Sequence, residues 1–303
     1  MKATHLRTDY LENPLGIDLP SPRLFWTDEG GSRQTAYRIV AECDGAVVWD
    51  TGKVSSSRMT HIPYEGKPLQ SRQRITWTVT LWDENDQSGE SSSAWFEMGL
   101  LERTDWKARW ISGNYAVSKK RRYPVDCFRK VFSANGIRCA RLYVTACGLY
   151  EGCLNGQRIG DFVLTPGHTD YRKRVQYQTY DLTGLVQEGE NQLTFQLADG
   201  WYRGSCGANG LLNQYGSQTK LLAQLELTDS QEKTSWIVTD GSWDWSADGP
   251  IRFADNKDGE VYDARLLPSY RGKALETSHP VLPTASNNVP VQEHETFAAT
   301  LRT

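Results

Sequence analysis

The residues of this chain best suited to hold a metal or to act as nucleophiles are its 5 histidines and 6 cysteines. Their spacing builds neither kind of site. His5, His61, His168, His279 and His294 are scattered and form no local metal cluster. Cys43, Cys127, Cys139, Cys147, Cys153 and Cys206 contain no Cys-x-x-Cys pair and match no zinc knuckle. His168-Thr169-Asp170 places an imidazole beside a carboxylate, an arrangement that reads as a hydrogen-bonded surface pair in a loop. A Gly-x-Ser-x-Gly elbow, a phosphate-cradling Walker loop, His-Glu-x-x-His and a dinucleotide Gly-x-Gly-x-x-Gly after a strand are all missing. Two carboxylates at a set separation could serve as general acid and base, but they need a rigid frame. With 37 Asp and Glu the spacing alone selects no such pair.

The elements that would position any site are strands. In Ile75-Thr76-Trp77-Thr78-Val79-Thr80-Leu81-Trp82, the residues Ile75, Trp77, Val79 and Leu81 point one way and the threonines the other. That is a half-buried strand, closed by the turn cluster Asp83-Glu84-Asn85-Asp86. Tyr37, Ile39 and Ala41 alternate in the same way, and Asp44-Gly45 then supplies a tight hairpin before Val47-Val48-Trp49. A second series starts at Trp106 to Ile111 and passes a short basic loop at Lys119 to Arg122. It resumes through Phe128, Lys130 and Phe132, then from Leu142 to the Asn155-Gly156 hairpin signal. Leu193-Phe195-Leu197, Leu221-Ala223-Leu225-Leu227, Trp236 to Val238 and Val261-Tyr262 complete it. No window carries a sustained amphipathic helix; Leu182 to Val186 suits a single turn.

The expected architecture is therefore all-β. Residues 1–102 read as a fibronectin type III-like or immunoglobulin-like sandwich and 103–274 as a jelly-roll, galactose-binding-like sandwich. Residues 275–303, with Pro280, Pro283 and Pro290 among polar residues, read as a linker and the first strand of a following domain. Composition agrees: 38% of residues are apolar, including 11 Trp, 14 Tyr and 8 Phe, which excludes wholesale disorder. No run approaches the ~20 apolar residues of a spanning helix. The 34 basic residues against 37 acidic ones, a net charge of −3, exclude a dedicated nucleic-acid binder. The start of the sequence lacks the apolar core of a secretory signal, so a cytoplasmic location with reduced, mostly buried thiols is expected.

Several segments of the second series stand out as an ordered set. They are Leu149-Tyr150-Glu151-Gly152-Cys153-Leu154-Asn155-Gly156-Gln157-Arg158-Ile159-Gly160-Asp161, Thr165-Pro166-Gly167-His168-Thr169-Asp170-Tyr171 and Gln176-Tyr177-Gln178-Thr179-Tyr180-Asp181-Leu182-Thr183. Asp199-Gly200-Trp201-Tyr202-Arg203-Gly204 and Gly259-Glu260-Val261-Tyr262-Asp263-Ala264-Arg265 follow. The set resembles the N-terminal β-sandwich region of bacterial α-L-rhamnosidases, the family 78 glycoside hydrolases. The opening domain is similar to theirs through Leu15-Gly16-Ile17-Asp18, Pro22-Arg23-Leu24-Phe25-Trp26 and Gln34-Thr35-Ala36-Tyr37-Arg38-Ile39. The resemblance covers nearly the whole chain. It implies a longer parent enzyme, continuing into another β-sandwich and a large α/α barrel whose acidic residues hydrolyse terminal α-L-rhamnosyl bonds with inversion. The chain is expected to be an N-terminal fragment without that barrel, hence not catalytic alone, and to have the barrel and a rhamnose-containing glycan as partners.

In some members such a sandwich resembles a module that holds L-rhamnose through calcium, an ion that takes six to eight hard oxygens. That likeness nominates Asp170, Asn209 and Asn213 as oxygen donors and Trp201 or Tyr202 as an aromatic platform, with Arg203 alongside. The stretch from Ser205 to Tyr215 would carry the loop, yet it has no acidic residue, which weighs against calcium. Most of these residues also have a plainer reading. Trp201 can be core or interface, Asp170 can form an Asx turn, Asn209 and Asn213 can be loop residues at positive φ, and Arg203 can pair with an acidic neighbour. Gly259-Glu260 with Asp263 and Arg265 could line a site, but better suits a salt-bridged seam against missing domains. The alternative for the whole chain is a scaffold that braces the catalytic domain and binds no sugar.

Overall fold

The structure, a computed structural model, is described for residues 1–31, 33–118, 122–295 and 297–298. Lys119, Lys120 and Arg121 of the basic loop, and 296 and 299–303 of the final stretch, lie outside the described residues. The chain forms two compact units: residues 1–105 with 287–289, and residues 106–286 with 290 onward.

Among its described residues the first unit holds nine strands: β1 (Lys2–Thr8), β2 (Leu15–Ile17), β3 (Arg23–Glu29), β4 (Ala36–Cys43), β5 (Ala46–Asp50), β6 (Val54–Ser55), β7 (Ile62–Pro63), β8 (Arg74–Trp82) and β9 (Ser92–Met98). One sheet runs β2-β9-β8-β4-β5 with β6 also on β4, and the other runs β1-β3-β7. The period-two strand behaves as its sequence dictates: Ile75, Trp77, Val79 and Leu81 are fully buried, in one core with Leu24 and Trp26 of β3 and Ile62 of β7. Each such side chain stabilises the fold by about 1.5–3 kcal/mol. Asp44 (φ 49°) and Gly45 (φ 78°) make the hairpin between β4 and β5, both in the left-handed region such a turn needs. This is an immunoglobulin-like sandwich.

The second unit holds β10 (Trp110–Ser112), β11 (Asp126–Ala134), β12 (Ile137–Cys147), β13 (Leu149–Leu154), β14 (Gln157–Arg158), β15 (Val175–Asp181) and β16 (Gly189–Ala198). One helical turn, α1 (Gly200–Arg203), comes next. Then follow β17 (Lys220–Asp229), β18 (Thr234–Val238), β19 (Asp244–Ser246), β20 (Ile251–Asp255), β21 (Gly259–Tyr262), β22 (Gly272–Lys273), β23 (Leu275–Thr277) and β24 (Pro283–Ala285). One sheet runs β23-β10-β17-β12-β15-β24 with β18 on β17; the other runs β14-β13-β16-β11-β19-β22. Alternate residues of both sheets meet in one core: Leu142 and Val144 of β12, Leu225 and Leu227 of β17, Leu193, Phe195 and Leu197 of β16, and Phe128 of β11.

Two features depart from the pattern read in the sequence. The polar residues between the leucines of β17 are also buried: Gln224 accepts the Lys107 backbone N–H (2.6 Å) and donates to Glu226 (2.7 Å). An irregular segment around 106–108 covers that outer face, so strict apolar alternation understates the burial. In addition, residues assigned to a linker pair into the sheet. Leu275–Thr277 lies antiparallel to β10, and Pro283–Ala285 lies parallel to β15. Pro283 loses no needed N–H there because it sits on the sheet's edge strand. Among the described residues the longest α-helix is the four-residue α1, so no helical barrel is present in them. Among the described residues no helix is long and apolar enough to cross a membrane. None of the six cysteines is in a disulfide, and Cys127 and Cys147 are buried.

Candidate functional site

The motif Asp199-Gly200-Trp201-Tyr202-Arg203-Gly204 marks the place where β16 ends and the chain turns through α1. Gly200 has φ +52°, and a Cβ there would lie 2.6 Å from Leu149 Cγ and 3.1 Å from the Leu149 nitrogen. Only glycine fits both demands. The single turn closes with the Arg203 N–H on the Asp199 carbonyl (3.2 Å) and the Gly204 N–H on the Gly200 carbonyl (3.0 Å). It splits the three candidate residues between inside and outside.

Arg203, only 4% exposed, is an internal residue. Its Nε donates to Asp199 Oδ1 (2.7 Å) and its Nη1 to the Tyr115 hydroxyl (2.5 Å), while the guanidinium lies 4.9 Å from the Tyr123 ring centre. Beside it sits Asp126, fully buried, accepting from Trp245 Nε1 (2.8 Å) and Thr219 Oγ1 (2.7 Å). Burial pushes the Asp126 carboxyl up, while Arg203 and the hydroxyl and indole donors draw it back. Tyr202 is likewise 4% exposed, with its ring edge-on to Tyr171 at 5.2 Å. Burial raises its phenol far above the ordinary value. A sugar at the surface would therefore meet neither Tyr202 nor Arg203; both hold the turn in place.

Trp201 points outward and is half-buried. The imidazole of His168 lies flat on it, with ring centres 5.2 Å apart and planes 14° apart. Tyr215 stands next to them, 6.4 Å from His168 and 5.2 Å from Tyr171. The Arg172 guanidinium is 5.3 Å from the Tyr215 ring centre. His279, from the stretch beyond 275, props this cluster from below: its Nε2 donates to the Tyr171 carbonyl (2.9 Å), and burial lowers its pKa. The result is an aromatic surface with a cation and a carboxylate at its rim, the chemistry that stacks on the apolar face of a sugar ring and hydrogen-bonds its hydroxyls.

The nominated oxygen donors stand differently. Asp170 makes the Asx turn read in the sequence, accepting the Arg172 N–H at 3.2 Å, and its carboxylate pairs with the Arg172 side chain at 2.9 Å. Those Arg172 hydrogen bonds hold the carboxylate below its usual pKa. Asn209 lies exposed at a loop tip. Asn213, at φ 57°, donates its backbone N–H to the Arg203 carbonyl (2.9 Å). No group of three His, Cys, Asp or Glu side chains among the described residues could hold a metal ion. A carboxylate already occupied by a guanidinium does not fit a divalent cation, so the three residues do not make a calcium cage as they stand. His168 does not form the hydrogen-bonded surface pair with Asp170 that the sequence suggests: Asp170 is held by Arg172, and the imidazole stacks on Trp201 instead. Sequence reading missed that stacking, Tyr215, and the Tyr115 hydroxyl that links Arg203 to Asp126, since each joins segments far apart in the chain. Asp263 and Arg265 pair with each other at 2.7 Å.

Two family models match: the α-L-rhamnosidase N-terminal domain over residues 135–300, and the Rha78A-like N-terminal immunoglobulin domain over residues 3–102. An α-L-rhamnosidase of Formosa agariphila is 37% identical over 286 residues, covering 88% of this chain and 31% of that protein. One from Alteromonas sp. strain LOR is 38% identical over 269 residues, covering 83% of this chain and 29% of that protein. The solved structure of an α-L-rhamnosidase from Aspergillus terreus superimposes with a TM-score of 0.85 at 33% identity, covering 92% of this chain and 34% of that one. The chain thus spans about a third of the length of the curated relatives it matches. It belongs to the α-L-rhamnosidase family and corresponds to the N-terminal region of its members.

Proposed function

We propose that this chain is the non-catalytic N-terminal region of an enzyme that hydrolyses terminal α-L-rhamnosyl bonds, and that its second sandwich binds and positions rhamnosyl glycans. The observation that carries the reading is the outward Trp201 face with His168, Tyr215 and the Asp170–Arg172 pair around it, on a turn fixed from inside by Arg203. L-Rhamnose, a 6-deoxy sugar, offers an apolar face and a methyl group to the ring, and vicinal hydroxyls to the charged pair. The catalytic domain of the parent chain is the other partner in this reading.

Calorimetric titration with L-rhamnose, beside a turnover assay with an aryl α-L-rhamnoside, tests it. Binding without turnover is expected; turnover at ordinary enzyme rates, or no heat of binding, overturns it. A specific observation favours the bracing alternative: Val261 and Tyr262 on the outer edge of the β20–β21 hairpin are 56% and 60% exposed, and Leu267 beyond them 81%. An apolar strip of this kind suits a protein partner. Absence of sugar binding, with protection of this hairpin in a longer chain that continues into the parent enzyme, would establish bracing as the role.

A further inference from the structure

His168 occupies the ring face that the glycan reading assigns to a sugar. Residue His168 is exposed and its imidazole lies nearly parallel to Trp201, the orientation a pyranose adopts when it stacks on an indole. Among the described residues the ring makes no hydrogen bond or ion pair, and its aromatic contacts are the Trp201 and Tyr215 rings. The backbone on both sides is anchored. Gln178 Nε2 donates to the Pro166 carbonyl (3.2 Å), the Tyr171 hydroxyl to the Gly167 carbonyl (2.9 Å), and Thr169 Oγ1 to the Arg174 carbonyl (2.5 Å). Between these fixed points the imidazole can swing about its own side-chain torsions without breaking a hydrogen bond or moving the loop.

We propose that His168 is a built-in placeholder on the stacking face of Trp201, and that a pyranose with an apolar face, an α-L-rhamnoside in the first instance, binds by displacing it. The inference rests on the glycan-binding reading above. The placeholder keeps the indole out of water while the site is empty and sets a threshold that a ligand must exceed. An aromatic pair of this type corresponds to a factor of about 2–12 in an equilibrium constant, and that factor opposes every binding event. Being common to all sugars, the cost lowers every affinity alike, and a sugar that also engages Asp170 and Arg172 at the rim recovers enough to displace the ring.

Methyl α-L-rhamnoside is titrated into the wild-type chain, His168→Ala, and His168→Ala combined with Trp201→Ala. The expected result is affinity about 2–12-fold tighter for His168→Ala than for the wild type, and none for the double variant. Equal or weaker binding by His168→Ala overturns the placeholder and leaves the glycan reading standing. No binding by either the wild type or His168→Ala overturns both. A second readout follows the ring itself: saturating sugar in the wild type should shift the His168 ring-proton resonances in the same direction as Trp201→Ala does without sugar. Unchanged resonances at saturation would show that the ring stays in place and would overturn the displacement.

Discussion

Replacing Arg203 with alanine probes the interior of the second unit most sharply. The guanidinium is almost completely buried, bonded to Asp199 at 2.7 Å and to Tyr115 at 2.5 Å, with the fully buried Asp126 alongside. Its removal strands a buried carboxylate, and breaking one half of a buried ion pair costs about 3–5 kcal/mol. For a unit of this size each kcal/mol moves the melting temperature by about 2–4 °C, so the transition of the second unit should fall by about 6–20 °C. Scanning calorimetry on the full chain reads this directly, since the first unit does not contain these residues. A companion variant, Arg203→Met with Asp199→Asn, removes the charge and its partner together and should recover about 2 kcal/mol of the loss. A loss below about 1 kcal/mol for Arg203→Ala, or a double variant as unstable as the sum of its single changes, would refute the claim that this pair is buried and mutually dependent. Because the same turn carries Trp201, Arg203→Ala should also weaken rhamnoside binding although Arg203 never reaches the sugar.

Three further outcomes are expected. Asp105 accepts from Ser71 Oγ (2.6 Å), Arg72 Nη1 (2.8 Å) and the Glu102 N–H (2.9 Å); these bonds outweigh partial burial and hold its pKa below the ordinary 3.8. Its contribution is present above that ordinary value and lost as pH falls through the lower folded one, so Asp105→Asn should cost the first unit about 1 kcal/mol at pH 7 and nothing once the carboxyl is protonated in both folded and unfolded chains, read by urea unfolding across pH. Gly200→Ala should destabilise the second unit by about 1–3 kcal/mol through its positive φ and the clash with Leu149, and Leu149→Ala should restore only part of that, because the backbone strain remains. Stripping divalent cations with EDTA should leave rhamnoside affinity unchanged, since Arg172 occupies the Asp170 carboxylate; binding lost to EDTA and regained with calcium would restore a metal site.

Much of the fold was legible because strand physics has a short period. Ile75, Trp77, Val79 and Leu81 announce a buried face by alternation alone, and Asp44-Gly45 and Asn155-Gly156 announce hairpins because few residues other than glycine and asparagine accept positive φ. What stayed hidden depends on long-range contact. Gln224 and Glu226 look solvent-facing in sequence, yet they lie buried under the segment around 106–108. Leu275–Thr277 and Pro283–Ala285 are too short for periodicity and find their places only through β10 and β15. Within the site, the motif containing Trp201, Tyr202 and Arg203 was visible, but which of the three faces outward follows from one turn of helix set by Gly200. The stacking of His168 on Trp201 and the link from Arg203 through the Tyr115 hydroxyl to Asp126 join residues from different strands and loops, so spacing carries no trace of them.

The most direct test of the account is the affinity of Trp201→Ala for methyl α-L-rhamnoside, measured by calorimetry beside the wild type. Loss of a sugar-stacking indole should weaken binding by about tenfold or more, while the second unit, which loses only a half-buried ring from the edge of its core, still unfolds cooperatively at a cost of about 3 kcal/mol or less. Wild-type affinity in Trp201→Ala would contradict the assignment of this surface to sugar.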